Sequence, residues 1–484
     1  MSVAGRLNEY FDVEEHDSEF RIEVIAGVTT FLAMAYIIVV NPAILAPAIL
    51  ADPAMAEAYS EVQILQMLSV VTILASVVAI AVMAFYARRP FGLAPGMGLN
   101  AFFTFTVVLT LGVPWQVALA AVFVEGVIFI VLTAVGARRF IIEMLPEPVK
   151  FAVGAGIGVF LLFLGLQEMQ IITAYDPTLV QLGNIAANPI AGLALIGLVF
   201  TLLLWARGVT GSIVIGIVTT ALAAWALTLA GLFDLAPPTA VETIEQEGVS
   251  GLLLGVQYDF TPLISGFLEG FGMIFEDPLV FLLVVFTFFI VDFFDTAGTL
   301  IGVSQIAGFL DEEGNLPEIE KPLMADAVGT TFGSMIGTST VTTYIESSTG
   351  VEEGGRTGLT ALVIGILFLV ALLAVPLVAA IPTYASYIAL VVVGIIMLQG
   401  VADIDWSDPA WAVSAGLTIT IMPLTASISH GLAAGIMSYP LMKVARGEAD
   451  DVTAGQWGLL IAFVIYYVAF FAADAGVLVF EIGD

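Results

Sequence analysis

Apolar runs of about twenty residues recur along the whole of this 484-residue chain, and each is long enough to cross the hydrocarbon of a bilayer. Lipid offers the backbone no partners, so such runs are expected to be helices. Two stretches break the pattern: Gly337-Thr-Ser-Thr-Val-Thr-Thr-Tyr-Ile-Glu346-Ser-Ser-Thr-Gly350 and Pro90-Phe-Gly-Leu-Ala-Pro95-Gly-Met-Gly98-Leu-Asn100. Both are rich in glycine, and the first is rich in hydroxyls and carries an acid. Polar backbone of this kind survives at membrane depth only where protein or a ligand meets it. Paired interruptions in the two halves of a membrane chain point to a binding site between repeats.

Hydropathy windows place spans at 22–47, 64–87, 92–110, 115–137, 147–168, 189–206 and 211–232. After an acidic connection from Asp234 to Asp277, seven more follow at 278–304, 322–337, 340–354, 357–381, 384–401, 409–425 and 428–444. The twelve basic residues test this count. Arg6, Arg21, Arg88, Arg89, Arg138, Arg139, Lys150, Arg207, Lys321, Arg356, Lys443 and Arg446 all fall on one face of the layer, which the positive-inside rule makes cytoplasmic. An odd number of spans per half inverts the second half relative to the first. Weaker echoes agree: Asn188-Pro189 opens span six as Asp408-Pro409 opens span thirteen, and Pro146 and Pro382 precede spans five and twelve. The expected fold is an all-α polytopic membrane protein. A further apolar stretch, Trp457 to Phe480, either crosses, re-enters or lies along the interface.

Composition is 60 % hydrophobic and 11 % charged, with mean hydropathy +1.06. The polar start lacks the basic head of a cleaved signal, so the first span is expected to direct insertion. The sequence contains 0 cysteines, which excludes disulfides and thiolate metal sites, and no motif calls for a cofactor. With 43 acids against 12 bases the formal charge is −31. Such acidity disfavours nucleic-acid binding and is a lever used in saline habitats, where salt screens self-repulsion.

An acid inside a membrane costs about 2.5–3.5 kcal/mol on insertion scales, so each is a candidate for function. Asp292 and Asp295 in span eight stand three apart, on one helix face. If they pack against Glu346, the cluster becomes a place to take up and release protons. The plainer readings are packing acids for the first two and a snorkelling acid for Glu346. Glu125, alone in span four, reads equally as a functional group or a hydrogen-bonding partner. Asn100 can meet an amide edge or cap the half-helix that begins there, whose amide N–H groups form a positive dipole end. Glu168 and Gln167 read as interfacial and His430 as a packing histidine. Gly154-Ala-Gly156-Ile-Gly158 reads as close helix packing, since no strand precedes it. No nucleotide-binding, hydrolase or metal-site motif is present.

Four blocks in order, Thr29–Tyr36 through Asn41-Pro42, Ala94–Ala101, Asp292–Gly302 and Thr343–Gly350, resemble the AzgA-like purine permeases of the nucleobase:cation symporter-2 superfamily. The resemblance implies a uracil-permease-like fold of fourteen segments in a 7+7 inverted repeat, with short extended stretches in segments 3 and 10. It implies core domains at 22–137 and 278–381, gate domains at 147–232 and 384–444, a cytoplasmic tail at 1–21, an extracellular connection at 233–277 and a C-terminal apolar segment and tail at 445–484. Family substrates are adenine, guanine and hypoxanthine, carried with protons by an elevator movement, commonly in dimers. By motif, Asp295, Glu346 and Asn100 match implicated polar positions, and glutamate rather than glutamine at 346 argues against xanthine. Asp295 and Glu346 are expected to bind purine N–H groups, with Asp292 assisting coupling. Phe102, Phe103 and Tyr344 are candidates for stacking, and backbone at 102–104 and at Glu346–Ser347 for hydrogen bonds. Sodium in place of the proton, an anion channel or exchanger on the same fold, and a membrane scaffold without transport are the alternatives.

Overall fold

The computed structural model describes residues 3–136, 145–254, 257–276, 278–311 and 316–474. Among the described residues, nine helices are long and apolar enough to cross a membrane. Helix α1 (Phe20–Met34) breaks at Ala35–Tyr36 and continues as α2 (Ile37–Leu50), and α3 (Glu61–Val82) returns beside it. The next expected span, 92–110, is not one helix. Strand β1 (Leu93–Pro95) leads into the short α4 (Met97–Ala101) and then a π-helix at Phe102–Thr110. Helices α5 (Trp115–Ala134) and α6 (Glu147–Glu168), a hairpin of β2 (Ile172–Tyr175) and β3 (Leu179–Leu182), α7 (Pro189–Ala206) and α8 (Ser212–Leu229) follow. Expected spans 147–168 and 189–206 coincide with α6 and α7.

The acidic connection is not a plain loop. It contains α9 (Thr261–Met273), which lays Gly266 against the Trp115 indole and Gly270 against the backbone of Gln116. Only glycine leaves room for that approach. Then come α10 (Pro278–Ala307), α11 (Glu320–Ile336), β4 (Val341–Thr343), the short α12 (Ser347–Glu352) and α13 (Gly358–Ala371). Helices α14 (Ile388–Met397), α15 (Pro409–Leu424), α16 (Ile428–Ala445) and α17 (Ala454–Asp474) complete the described chain. Expected span 340–354, like 92–110, opens as a strand.

Strands β1 and β4, far apart in sequence, pair antiparallel with Leu93 opposite Thr343, Ala94 opposite Thr342 and Pro95 opposite Val341. All six residues are buried. Pairing the two interruptions with each other is how extended backbone persists among apolar helices.

Small residues bring the remaining helices together, as the glycine-rich run suggested. Gly158 of α6 meets the Gly394 carbonyl of α14, and Gly156 meets Met422 and the Thr418 carbonyl of α15. The Asn-Pro and Asp-Pro openings do the same job. Asn188 accepts from Ile190 and Ala191 N–H at 3.0 and 3.3 Å, and Asp408 from Ala410 and Trp411 N–H at 2.7 and 3.2 Å. These side chains satisfy helix-start donors, while proline at the next position lacks one.

The N-terminal tail is packed rather than free. Phe11 and Val13 are buried against Leu359, and Arg88 bridges Asp12 at 2.9 Å. Within Trp457–Phe480 the described part is the helix α17, with Phe463 against Phe286 of α10 at 5.8 Å between ring centroids. Arg138, Arg139 and the end of that stretch lie outside the described residues.

Candidate binding site

A two-stranded ribbon has two outer edges, and in an apolar bundle their amides need partners. Helix α11 supplies them to β4. Asp326 and Thr330, four apart, share one helix face. Thr330 Oγ1 accepts from Val341 N–H at 3.1 Å and lies at hydrogen-bond distance from the Val341 carbonyl. Asp326 accepts from Thr343 N–H at 3.3 Å and from the Thr343 hydroxyl at 2.9 Å. Both residues are fully buried. The ribbon ends are tied as well: Gly96 N–H donates to Thr340 O at 2.9 Å, and Tyr344 N–H donates to Gly92 O at 3.0 Å.

Several predicted site residues hold this ribbon. Ser347 Oγ accepts from Gly92 N–H at 3.0 Å, and the Tyr344 hydroxyl donates to Pro95 O at 2.6 Å. Asn100 is fully buried, accepts from the Ser339 hydroxyl and donates to Pro95 O at 3.4 Å. It is not the cap of the half-helix; Gly96 stands there, with no side-chain bond. The side-chain carbonyl of Asn100 thus looks across to the second interruption. Asn41 donates to Thr72 at 2.7 Å and to Thr338 at 2.9 Å, tying the same crossing to α2 and α3.

The acids fall into two groups by their neighbours. Glu346 follows β4, and Tyr36, at the α1–α2 break, donates to its Oε1 at 2.6 Å. Asp295 on α10 and Glu346 both lie close enough to the Tyr344 hydroxyl to act on it electrostatically. Both acids keep partial exposure, whereas Asp292 is fully buried. Asp292 accepts from Thr296 at 3.3 Å and faces Glu125 of α5, which is also fully buried. Phe102 and Phe103 are buried against Phe288 of α10, at 4.8 and 6.4 Å between ring centroids. Two of the expected backbone donors are spent within the chain: Ser347 N–H goes to Tyr344 O at 3.1 Å and Phe102 N–H to the preceding helical turn.

Glu346 and Tyr344 thus follow the crossing, with Asp295 within electrostatic range of Tyr344, while Asn100 and Ser347 brace the ribbon and Phe102 and Phe103 pack against Phe288 of α10. Tyr36, Asp326, Thr330 and Ser339 were not singled out from the sequence. Asp326 was legible there, because it is an acid inside expected span 322–337 and the insertion-cost argument covers it. Tyr36 lies within the first of the four motif blocks. His430 sits against Tyr467, 5.9 Å between ring centroids.

The Xan_ur_permease family model, described as a permease family, matches residues 21–434. The chain belongs to this permease family. Guanine/hypoxanthine permease PbuG of Bacillus subtilis is 39 % identical over 96 % of the chain and 99 % of its own length. Adenine permease AdeP of Escherichia coli is 36 % identical over 96 % of the chain and 97 % of its own length. With these relatives the permease falls in the nucleobase:cation symporter-2 group that the motif blocks resemble. Among solved structures, the transmembrane domain of the cyanobacterial bicarbonate transporter BicA matches with a TM-score of 0.53, covering 86 % of this chain and 97 % of that one at 15 % identity. That likeness is one of fold.

Proposed function

We propose that this permease imports purine nucleobases, adenine, guanine and hypoxanthine, across the cell membrane by proton symport. The observation that supports the reading is the pair Asp295 and Glu346, two partly exposed acids within electrostatic range of Tyr344, which follows a buried strand pair. A purine is flat, neutral and edged with N–H donors. Carboxylates accept from such donors in charge-assisted bonds, and an aromatic ring supplies a face to stack on. Tyr36 fixes the Glu346 carboxylate, so one gripping group is already oriented. Asn100, Ser347 and the Phe102–Phe103 floor act at one remove, by setting the ribbon's position.

The same reading makes 22–137 and 278–381 a mobile core that carries the crossing, in fourteen segments of a 7+7 inverted repeat. It makes 147–232 and 384–444 the gate, and the N-terminus cytoplasmic, with the Asp234–Asp277 connection outside. Movement of the core past the gate gives elevator-type alternating access, in a homodimer. Sodium substitutes for the proton only if uptake follows a sodium gradient. An anion channel or exchanger would want bases or dipole ends where this chain presents carboxylates. Radiolabelled adenine, guanine and hypoxanthine uptake in a purine-transport-deficient host tests the proposal. Accumulation that a protonophore abolishes supports it; no uptake of any of the three overturns it.

A further inference from the structure

Away from the residues that tie the crossing together, two acids on different helices face each other. The carboxyl groups of Glu125 on α5 and Asp292 on α10 lie within hydrogen-bond reach of one another, and both side chains are fully buried. Neither oxygen of Glu125, nor Oδ2 of Asp292, accepts from an N–H or hydroxyl of the described chain. Two carboxylates cannot share such a place without something between them, and unpaired buried charge is the most expensive element a membrane interior can hold. Asp326 and Asp295 are the other acids that act on Asp292, and no cation does. A proton is the ligand that fits, because it turns two repelling acceptors into a donor and an acceptor.

The position suits a coupled proton. Next to Glu125, Gly126 brings α5 against Thr330 and Thr331 of α11. On that helix Asp326 holds Thr343, and Thr330 holds Val341, of strand β4. Charge on the Glu125–Asp292 pair thus acts on Asp326, which grips the strand that leads to Glu346.

We propose that Glu125 is a second coupling residue, holding with Asp292 one exchangeable proton whose uptake and release accompany each transport cycle. This rests on the proton-coupled reading above. The protein is reconstituted in liposomes, and labelled hypoxanthine or adenine is followed in two modes: accumulation driven by a pH gradient, and exchange with no gradient. Glu125→Gln, a fixed mimic of the protonated acid, is expected to keep exchange within about twofold of wild type. It is expected to lose more than about tenfold of gradient-driven accumulation, together with the pH dependence of exchange. Glu125→Asp, which keeps a titrating group, is expected to keep coupled accumulation with a displaced pH profile. Accumulation and pH profile like wild type in both variants would overturn the proposal. Should Glu125→Gln fail to fold, Glu125→Asp decides alone: a wild-type pH profile overturns the proposal and a displaced one supports it. Failure of the underlying reading has a different signature, since wild type itself would then show no uptake, or uptake indifferent to a protonophore.

Discussion

Glu346 and Asp295, the acids proposed to bind the purine, differ in their surroundings. Glu346 is held by the Tyr36 hydroxyl, whereas Asp295 projects from the middle of α10 beside Tyr344. Hydrogen bonds to charged groups contribute about 1.5–3 kcal/mol. Glu346→Ala and Asp295→Ala are therefore each expected to cut purine uptake by roughly 10- to 100-fold at fixed expression. Uptake unchanged in both would remove them from the site. Tyr36→Phe deletes an orienting donor while leaving the carboxylate in place. It is expected to raise the apparent KM several-fold, about 1 kcal/mol, with a smaller effect on maximal rate; a concentration series of uptake separates the two.

The strand pair is the element on which the site depends, and α11 is what holds it in place. Asp326→Ala leaves the Thr343 N–H buried without a partner, a loss of about 1–3 kcal/mol. Its melting temperature in detergent is expected to fall, and Asp326→Asn, which retains an acceptor, is expected to fall less. Equal melting of Asp326→Ala and wild type would mean that the edge is satisfied in another way. At the N-terminal end of α5, Asp52 accepts from Trp115 Nε1 at 3.0 Å and Gln116 Nε2 at 2.8 Å. Burial pushes this carboxyl up, but the Trp115, Gln116 and Ala54 donors outweigh it and hold it below its ordinary value. A lowered folded value means stability that is complete above the usual aspartate range, near 3.9, and is lost as pH falls from there through the lower folded value. The melting difference between wild type and Asp52→Asn is accordingly expected to be present at pH 7 and to vanish in strong acid.

For the whole molecule, charge and connectivity set the expectations. With 43 acids and 12 bases the exposed surface repels itself unless salt screens it. Melting temperature and uptake are expected to rise from low salt to molar salt, and indifference across that range would refute a saline habitat. Most spans were legible because lipid permits one backbone solution and the windows are long; α6 and α7 match the expected bounds. The buried acids are legible through their insertion cost, Asp326 in expected span 322–337 included. Hidden from the sequence was which polar group serves which. Tyr36 and Glu346 are 310 residues apart, and Asn100 and Ser339 are 239 apart. No local pattern encodes partners at that separation.

What the sequence by itself determined is a many-span helical membrane protein, broken at two polar stretches and carrying acids that lipid penalises. Those follow from composition and period, because burial of a backbone or a charge in hydrocarbon has a cost that short windows reveal. Tertiary structure alone decided that the two breaks pair as β1 and β4 and that α11 satisfies their outer edge. It also decided that Glu125 turns toward Asp292 while Asn100 turns to Ser339 and Pro95 and braces the ribbon. Those outcomes depend on which helices pack together, and packing is a property of the assembled bundle.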